Sequence, residues 1–146
     1  MNDAVAGTRM HATTVAIDGR GVMLLGASGA GKSDLALRLI DRGAVLVSDD
    51  YTDLRRVGDT LVASPPATIA GKIEIRGLGI VERAFAPSTA IELVICLGDE
   101  IERMPEPRWR TIAGVGVREM VIDPRPASAP IKVEYALRVP PAERVA

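Results

Sequence analysis

Residues 13–25 carry the first clear pattern of the chain. Thr13-Thr14-Val15-Ala16-Ile17 is β-branched and alternating, Asp18-Gly19-Arg20-Gly21 is turn chemistry, and Val22-Met23-Leu24-Leu25 is a short apolar run, so this stretch predicts a hairpin. After residue 33 the period becomes helical. Leu35, Ala36, Leu39 and Ile40 form one apolar stripe, Asp34 and Arg38 pair four residues apart on the other face, and Gly43 is a natural stop. Ala44-Val45-Leu46-Val47 is again unbroken apolar sequence, predicting a core strand that ends at Ser48-Asp49-Asp50. Residues 54–57 and 60–63 flank Gly58-Asp59 as a second hairpin, closed by Ser64-Pro65-Pro66. Residues 72–81 begin with strand alternation and continue as a glycine-bearing charged segment, which predicts a strand followed by a loop shaped to approach a ligand. Another core strand is expected at 91–97, a charged and proline-broken stretch at 98–110, and β structure again at 117–122. Pro124, Pro126 and Pro130 predict an irregular segment, residues 132–137 a last strand or short helix, and Pro140-Pro141 a frayed tail.

Composition narrows the possibilities. With 146 residues, 47% of them hydrophobic, the chain 1–146 reads as a single domain able to close a core. A formal net charge of −1 with scattered Lys and Arg gives no pull toward nucleic acid or an anionic membrane, and 3% aromatic content offers few base-stacking surfaces. Cys96 and His11 are each the sole representative of their type, so neither an internal disulfide nor a structural zinc site can form. The start lacks signal-peptide features and no apolar run reaches membrane-spanning length, so a cytoplasmic protein is expected.

The sharpest candidate chemistry lies between the first apolar strand and the helix. Gly26-Ala27-Ser28-Gly29-Ala30-Gly31-Lys32-Ser33 satisfies every fixed position of the G-x-x-x-x-G-K-[ST] phosphate loop. In such a loop backbone N–H groups and the helix N-terminus face phosphate oxygens, Lys32 reaches the β and γ phosphates, and the Ser33 hydroxyl ligates Mg²⁺. Asp49 and Asp50 are adjacent, so in an extended strand they face opposite sides and need separate roles. One suits holding Mg²⁺ and the other accepting a proton from an attacking hydroxyl, while an Asp-Asp surface turn is the plain alternative. Strand alternation would put Glu74 and Arg76 on one side, a carboxylate for metal beside a guanidinium for phosphate, or simply a surface ion pair. On spacing alone His11 is a structural or solvated residue, and Cys96 a buried small hydrophobe. Trp109 suits a partner surface or an anchor in loop packing.

Taken together, His11-Ala12-Thr13-Thr14-Val15, the loop 26–33, Val47-Ser48-Asp49-Asp50 and Ile73-Glu74-Ile75-Arg76-Gly77-Leu78-Gly79-Ile80 resemble the catalytic domain of bacterial HPr kinase/phosphorylase, over a core of about 11–137. The resemblance implies an α/β fold, a P-loop-containing mixed β-sheet core with few helices, related to the nucleotide-binding core of phosphoenolpyruvate carboxykinase. It implies ATP and Mg²⁺ as cofactors and, as partner, the phosphocarrier HPr of the phosphotransferase system, phosphorylated on a serine and dephosphorylated by phosphorolysis. Carried over by residue, Asp49 would be the base in the kinase direction and the acid in reverse. Asp50 and Glu74 would join Ser33 at the metal, His11 and Lys32 would be catalytic, and Arg76 would contact phosphate. Of the family's Arg-Pro-Gly-Arg-Asn type segment this chain keeps only Arg125, reading Arg125-Pro126-Ala127-Ser128-Ala129. It resembles the short form without an N-terminal domain. A homo-oligomer is expected, though the family's further C-terminal helices, used in hexamer assembly and HPr contact, are not matched.

Two other readings share the phosphate loop. A small-molecule kinase would need an arginine-rich lid or acceptor pocket, which the sequence does not display. A small nucleotide-binding regulatory module without turnover would have no need of Lys32, Asp49, Asp50 and Glu74 together.

Overall fold

The structure, a computed structural model, describes residues 7–139. In chain order it contains β1 (Thr8–Met10), β2 (Ala12–Ile17), β3 (Arg20–Leu25), α1 (Lys32–Asp41), β4 (Val45–Ser48), β5 (Thr52–Val57), β6 (Thr60–Ser64), β7 (Lys72–Ile75), β8 (Gly79–Glu82), β9 (Thr89–Leu97), β10 (Arg108–Ile112), β11 (Val115–Ile122) and α2 (Ala129–Arg138). Nine strands form one curled, mixed sheet along the path β1-β5-β6-β9-β3-β2-β4, with β10 and β11 joined through β11 to β9. Strand β9 is the hub: its first residues pair antiparallel with β6, and its later ones pair parallel with both β3 and β11. At Gly21 a side chain is impossible, because a Cβ there would lie 2.6 Å from the Ala90 carbonyl oxygen, so glycine allows β3 to approach β9.

Both faces of the sheet are covered. Val22 and Leu24 of β3 and Leu93 and Ile95 of β9 pack under α1 and α2 with Leu35, Leu39, Val133 and Leu137. Met23 and Val94 point the other way, into a second layer with Leu54, Leu61, Ile112 and Val117. Two-sided burial is why β3 and β9 read as unbroken apolar runs rather than alternating ones. Both expected hairpins form, as β2–β3 and β5–β6.

Two expectations, at 72–81 and at 98–110, need correction. The run 44–47 forms the expected core strand, with Leu46 and Val47 fully buried, and takes the end of the sheet: β4 pairs with β2, and Val45 is 43% exposed. Its other side meets residues 85–86, where the Ala86 N–H donates to the Leu46 carbonyl oxygen at 2.8 Å. The segment 72–81 is no strand-plus-loop but a hairpin, β7–β8, because the Leu78 N–H closes on the Ile75 carbonyl oxygen and Gly77 supplies the positive φ of 92°. The charged stretch 98–110 yields to β10 at Arg108, paired with β11 across Ala113-Gly114, both at positive φ as a tight hairpin turn requires. The strand-or-helix alternative at 132–137 resolves as helix α2, and Pro130 sits in its first turn, where a missing N–H costs nothing. The expected frayed tail at 140–141 lies outside the described residues. Among the described residues no helix is long and apolar enough to cross a membrane.

The two helices are clasped by Arg42, which donates to both Glu134 carboxylate oxygens at 2.8 and 3.0 Å. Those hydrogen bonds outweigh burial and hold the Glu134 carboxyl below its ordinary value. A carboxyl lowered in the folded state contributes stability above its unfolded pKa and loses it as pH falls through the folded value. Glu134→Gln should therefore lower Tm by a few degrees at about pH 7 and flatten the loss between about pH 5 and pH 3. Thermal unfolding across that range checks both effects.

Candidate active site

Strand β3 runs into the phosphate loop, and the loop runs into α1. Gly29 and Gly31 have φ of 83° and 104°, the left-handed region where a side chain would be strained. Gly31 is the helix N-cap and no side chain caps the first turn, so its N–H groups remain directed at the loop's concave side. Lys32 is 6% exposed, and its Nζ donates to the carbonyl oxygens of Gly26 (2.7 Å) and Ala27 (3.1 Å), spanning the loop. Ser28 and Ala30 complete the turn, with the Ala30 N–H donating to the Ala27 carbonyl oxygen. Arg38 of α1 fixes the neighbouring segment by donating to the carbonyl oxygens of Pro124 and Pro126.

The two aspartates meet this loop differently. The Tyr51 N–H donates to the Asp49 carbonyl oxygen at 2.8 Å while Asp50 sits at φ 70°, a γ-turn of the strained, positive-φ kind. Ser48 Oγ donates to the Tyr51 carbonyl oxygen and braces the turn. Asp49 consequently points inward, at 5% exposure. Its Oδ1 accepts from Ser33 Oγ (2.6 Å) and Thr13 Oγ1 (3.1 Å), and its Oδ2 accepts from the Glu74 backbone N–H (3.0 Å). Asp50 points outward, its side chain 60% exposed, with Oδ1 2.8 Å from His11 Nε2. The His11 ring leans on Tyr51 at a centroid distance of 5.1 Å.

Sequence alternation is therefore replaced by a bend that gives each carboxylate its own neighbours, Ser33 for Asp49 and His11 for Asp50. Glu74 takes part through its backbone, while its side chain is exposed. Arg76 lies in the exposed turn beyond β7, so strand alternation does not extend from Glu74 to Arg76. Among the described residues no three His, Cys, Asp or Glu side chains converge as a ready metal cage. Mg²⁺ does not need one, since it usually keeps waters and takes one or two protein oxygens beside substrate phosphates. Ser33 and Asp49 supply that kind of hard oxygen pair.

Thr13, on β2 just after His11, carried no chemical signal in the sequence. Cys96 is more than a small hydrophobe: its thiol donates to Glu119 Oε1 at 3.1 Å, and burial, reinforced by Glu119, pushes its pKa up. Trp109 is 65% exposed on β10. Arg125 forms a two-pronged pair with Asp123 and holds that carboxyl down to about 2.

The sequence profile described as the HPr Serine kinase C-terminal domain matches residues 3–131. The chain belongs to this family. An HPr kinase/phosphorylase of Caldicellulosiruptor bescii is 42% identical over 130 residues, covering 80% of this chain and 42% of that protein. One of Polaromonas sp. is 35% identical over 130 residues, covering 79% and 41%. The chain spans about two fifths of the length of these curated relatives. The solved structure of the Hpr(Ser) kinase/phosphatase from Coxiella burnetii superposes with a TM-score of 0.78 at 32% identity, covering 90% of this chain and 94% of that one. A curled mixed sheet with few helices is thus the architecture of the family member as well.

Asp50 holds a left-handed backbone that costs a non-glycine residue about 1–2 kcal/mol. Asp50→Gly should raise unfolding stability by about 1 kcal/mol, whereas Asp50→Ala should not. Urea unfolding of the two variants beside the parent measures the difference.

Proposed function

We propose that this chain is an ATP- and Mg²⁺-dependent protein kinase that phosphorylates a serine of the phosphocarrier HPr, with phosphorolysis as its reverse reaction. The observation that carries the reading is the convergence of the phosphate loop, the Ser33–Asp49 pair and the His11–Asp50 pair at the adjoining ends of β2, β3 and β4, in a chain of the HPr kinase family. The curled sheet that carries them is, in this reading, the nucleotide-binding core shared with phosphoenolpyruvate carboxykinase.

The geometry divides the work. Backbone N–H groups of the loop and the uncapped first turn of α1 bind the β and γ phosphates, and Lys32 exchanges its loop carbonyls for phosphate oxygens. Ser33 and Asp49 would hold Mg²⁺, which when bound would neutralise phosphate charge. This gives Asp49 the metal-side role, because its three hydrogen-bond donors and its burial leave it no free edge toward an acceptor. The proton-transfer role passes to Asp50, which faces solvent where a protein hydroxyl can enter. His11 holds Asp50 Oδ1, leaving Oδ2 to take the serine proton as the hydroxyl oxygen attacks the γ phosphorus and ADP leaves. In reverse, inorganic phosphate attacks phosphoserine, the serine oxygen regains the proton, and pyrophosphate is released. Arg76 and the Glu74 side chain, exposed on the β7–β8 hairpin beside Asp49, are available to phosphate and metal once both are bound. Because Arg125 is engaged by Asp123, the reverse reaction, which must also hold free phosphate in line, should be slower than the forward one.

The test is incubation with ATP, Mg²⁺ and purified HPr, with mass spectrometry to locate phosphoserine. Asp50→Asn should abolish transfer while leaving ATP-dependent thermal stabilisation intact. Lys32→Ala should remove that stabilisation, which for the parent is about 2.7 kcal/mol at about 100 times the dissociation constant. Retention of parental transfer by Asp50→Asn would return the base role to Asp49. Pyrophosphate release from serine-phosphorylated HPr at raised phosphate, compared with the forward rate, reads the direction.

A further inference from the structure

Thr13 lies on β2 with no exposed surface, and its one hydroxyl touches both aspartates. Its proton goes to Asp49 Oδ1 at 3.1 Å, and its oxygen accepts the backbone N–H of Asp50 at 3.1 Å. The two hydrogen bonds run in one direction, from the Asp50 amide through the hydroxyl to the Asp49 carboxylate, so each polarises the other. Among the described residues no other side chain hydrogen-bonds both the Asp49 carboxylate and the Asp50 backbone. The next residue, Thr14, faces away and pairs with Thr52, whose hydroxyl lies 2.9 Å from both Thr14 Oγ1 and the Ala12 carbonyl oxygen. Thus His11, just before β2, meets the Asp50 side chain, and Thr13 on β2 meets the Asp50 backbone.

We propose that Thr13 is a positioning residue that locks the strained Asp50 turn to the Asp49–Ser33 pair, so that the proton-accepting carboxylate is held in register with the phosphate loop. The proposal rests on the kinase reading above. A γ-turn with positive φ is a poor conformation for aspartate, and it persists only where its surroundings hold it. Asp49 keeps Ser33 and the Glu74 N–H when Thr13 loses its hydroxyl, so the loop side survives. The Asp50 amide loses its partner, and the turn that aims Asp50 loosens.

Thr13→Val removes the hydroxyl at nearly constant volume in a buried site, and Thr13→Ser keeps the hydroxyl. With HPr as acceptor, Thr13→Val should lower kcat by about tenfold or more with KM for ATP changed by less than about twofold, and Thr13→Ser should recover most of the rate. Independently of activity, the Asp50 amide should exchange with solvent about tenfold faster in Thr13→Val, while amides in β3 and β9 keep their protection. Should Thr13→Val not fold, Thr13→Ala provides the same two readings. Parental kcat together with parental protection of the Asp50 amide in the hydroxyl-free variant would overturn the proposal. If the parent protein does not phosphorylate HPr, the kinase reading falls, and the exchange measurement alone decides whether Thr13 holds the turn.

Discussion

The Asp49 carboxylate, almost wholly buried, ties together the four pieces from which the site is made. Its donors come from β2 (Thr13), from the first turn of α1 (Ser33) and from β7 (Glu74 N–H), and it stands itself at the end of β4. A buried carboxylate without partners is costly, so these elements cannot drift apart without exposing or orphaning it. That constraint explains why a short two-stranded hairpin, separate from the main sheet, is nonetheless anchored beside the phosphate loop: Ile73 enters the core under α1 and the next residue's N–H reaches Asp49.

The curled sheet sets the stage for that contact. Because β9 divides its pairing among β6, β3 and β11, the phosphate-loop strand β3 lies between β9 and β2 with both faces buried. The close approach at Gly21 keeps β3 tight against β9 at its start, and its far end delivers Gly26 to the loop. Strand β2, antiparallel to both β3 and β4, places Thr13, and His11 just before the strand, at the same end. The site therefore gathers the end of β3, the start of β2 and the end of β4, which are neighbours in space because adjacent strands run in opposite directions.

Stability and chemistry pull against each other at the Asp50 turn. A glycine would suit the backbone better, but it would remove the carboxylate that faces His11. The core supplies the stability that tolerates this strain, through two apolar layers and the Arg42–Glu134 clasp between the helices.

The glycine turn leading into α1, the two hairpins and the α1 stripe were legible in the sequence because each is a local pattern: glycines needing positive φ, turn residues between alternating runs, apolar residues at helical spacing. The family, too, was legible, since its motifs are contiguous. Which aspartate meets Ser33 was not, because alternation presumes an extended strand and the γ-turn at Asp50 is held by hydrogen bonds donated by Ser48 and Tyr51 and by the Asp50 N–H donated to Thr13. Nor could sequence place β4 at the end of the sheet, turn the glycines of 77–79 into a hairpin, or reveal that Glu74 serves through its backbone. Those features depend on which strands pair and which buried polar groups find partners. Such pairings join residues tens of positions apart, whereas the patterns that sequence displays reach only a few residues along the chain.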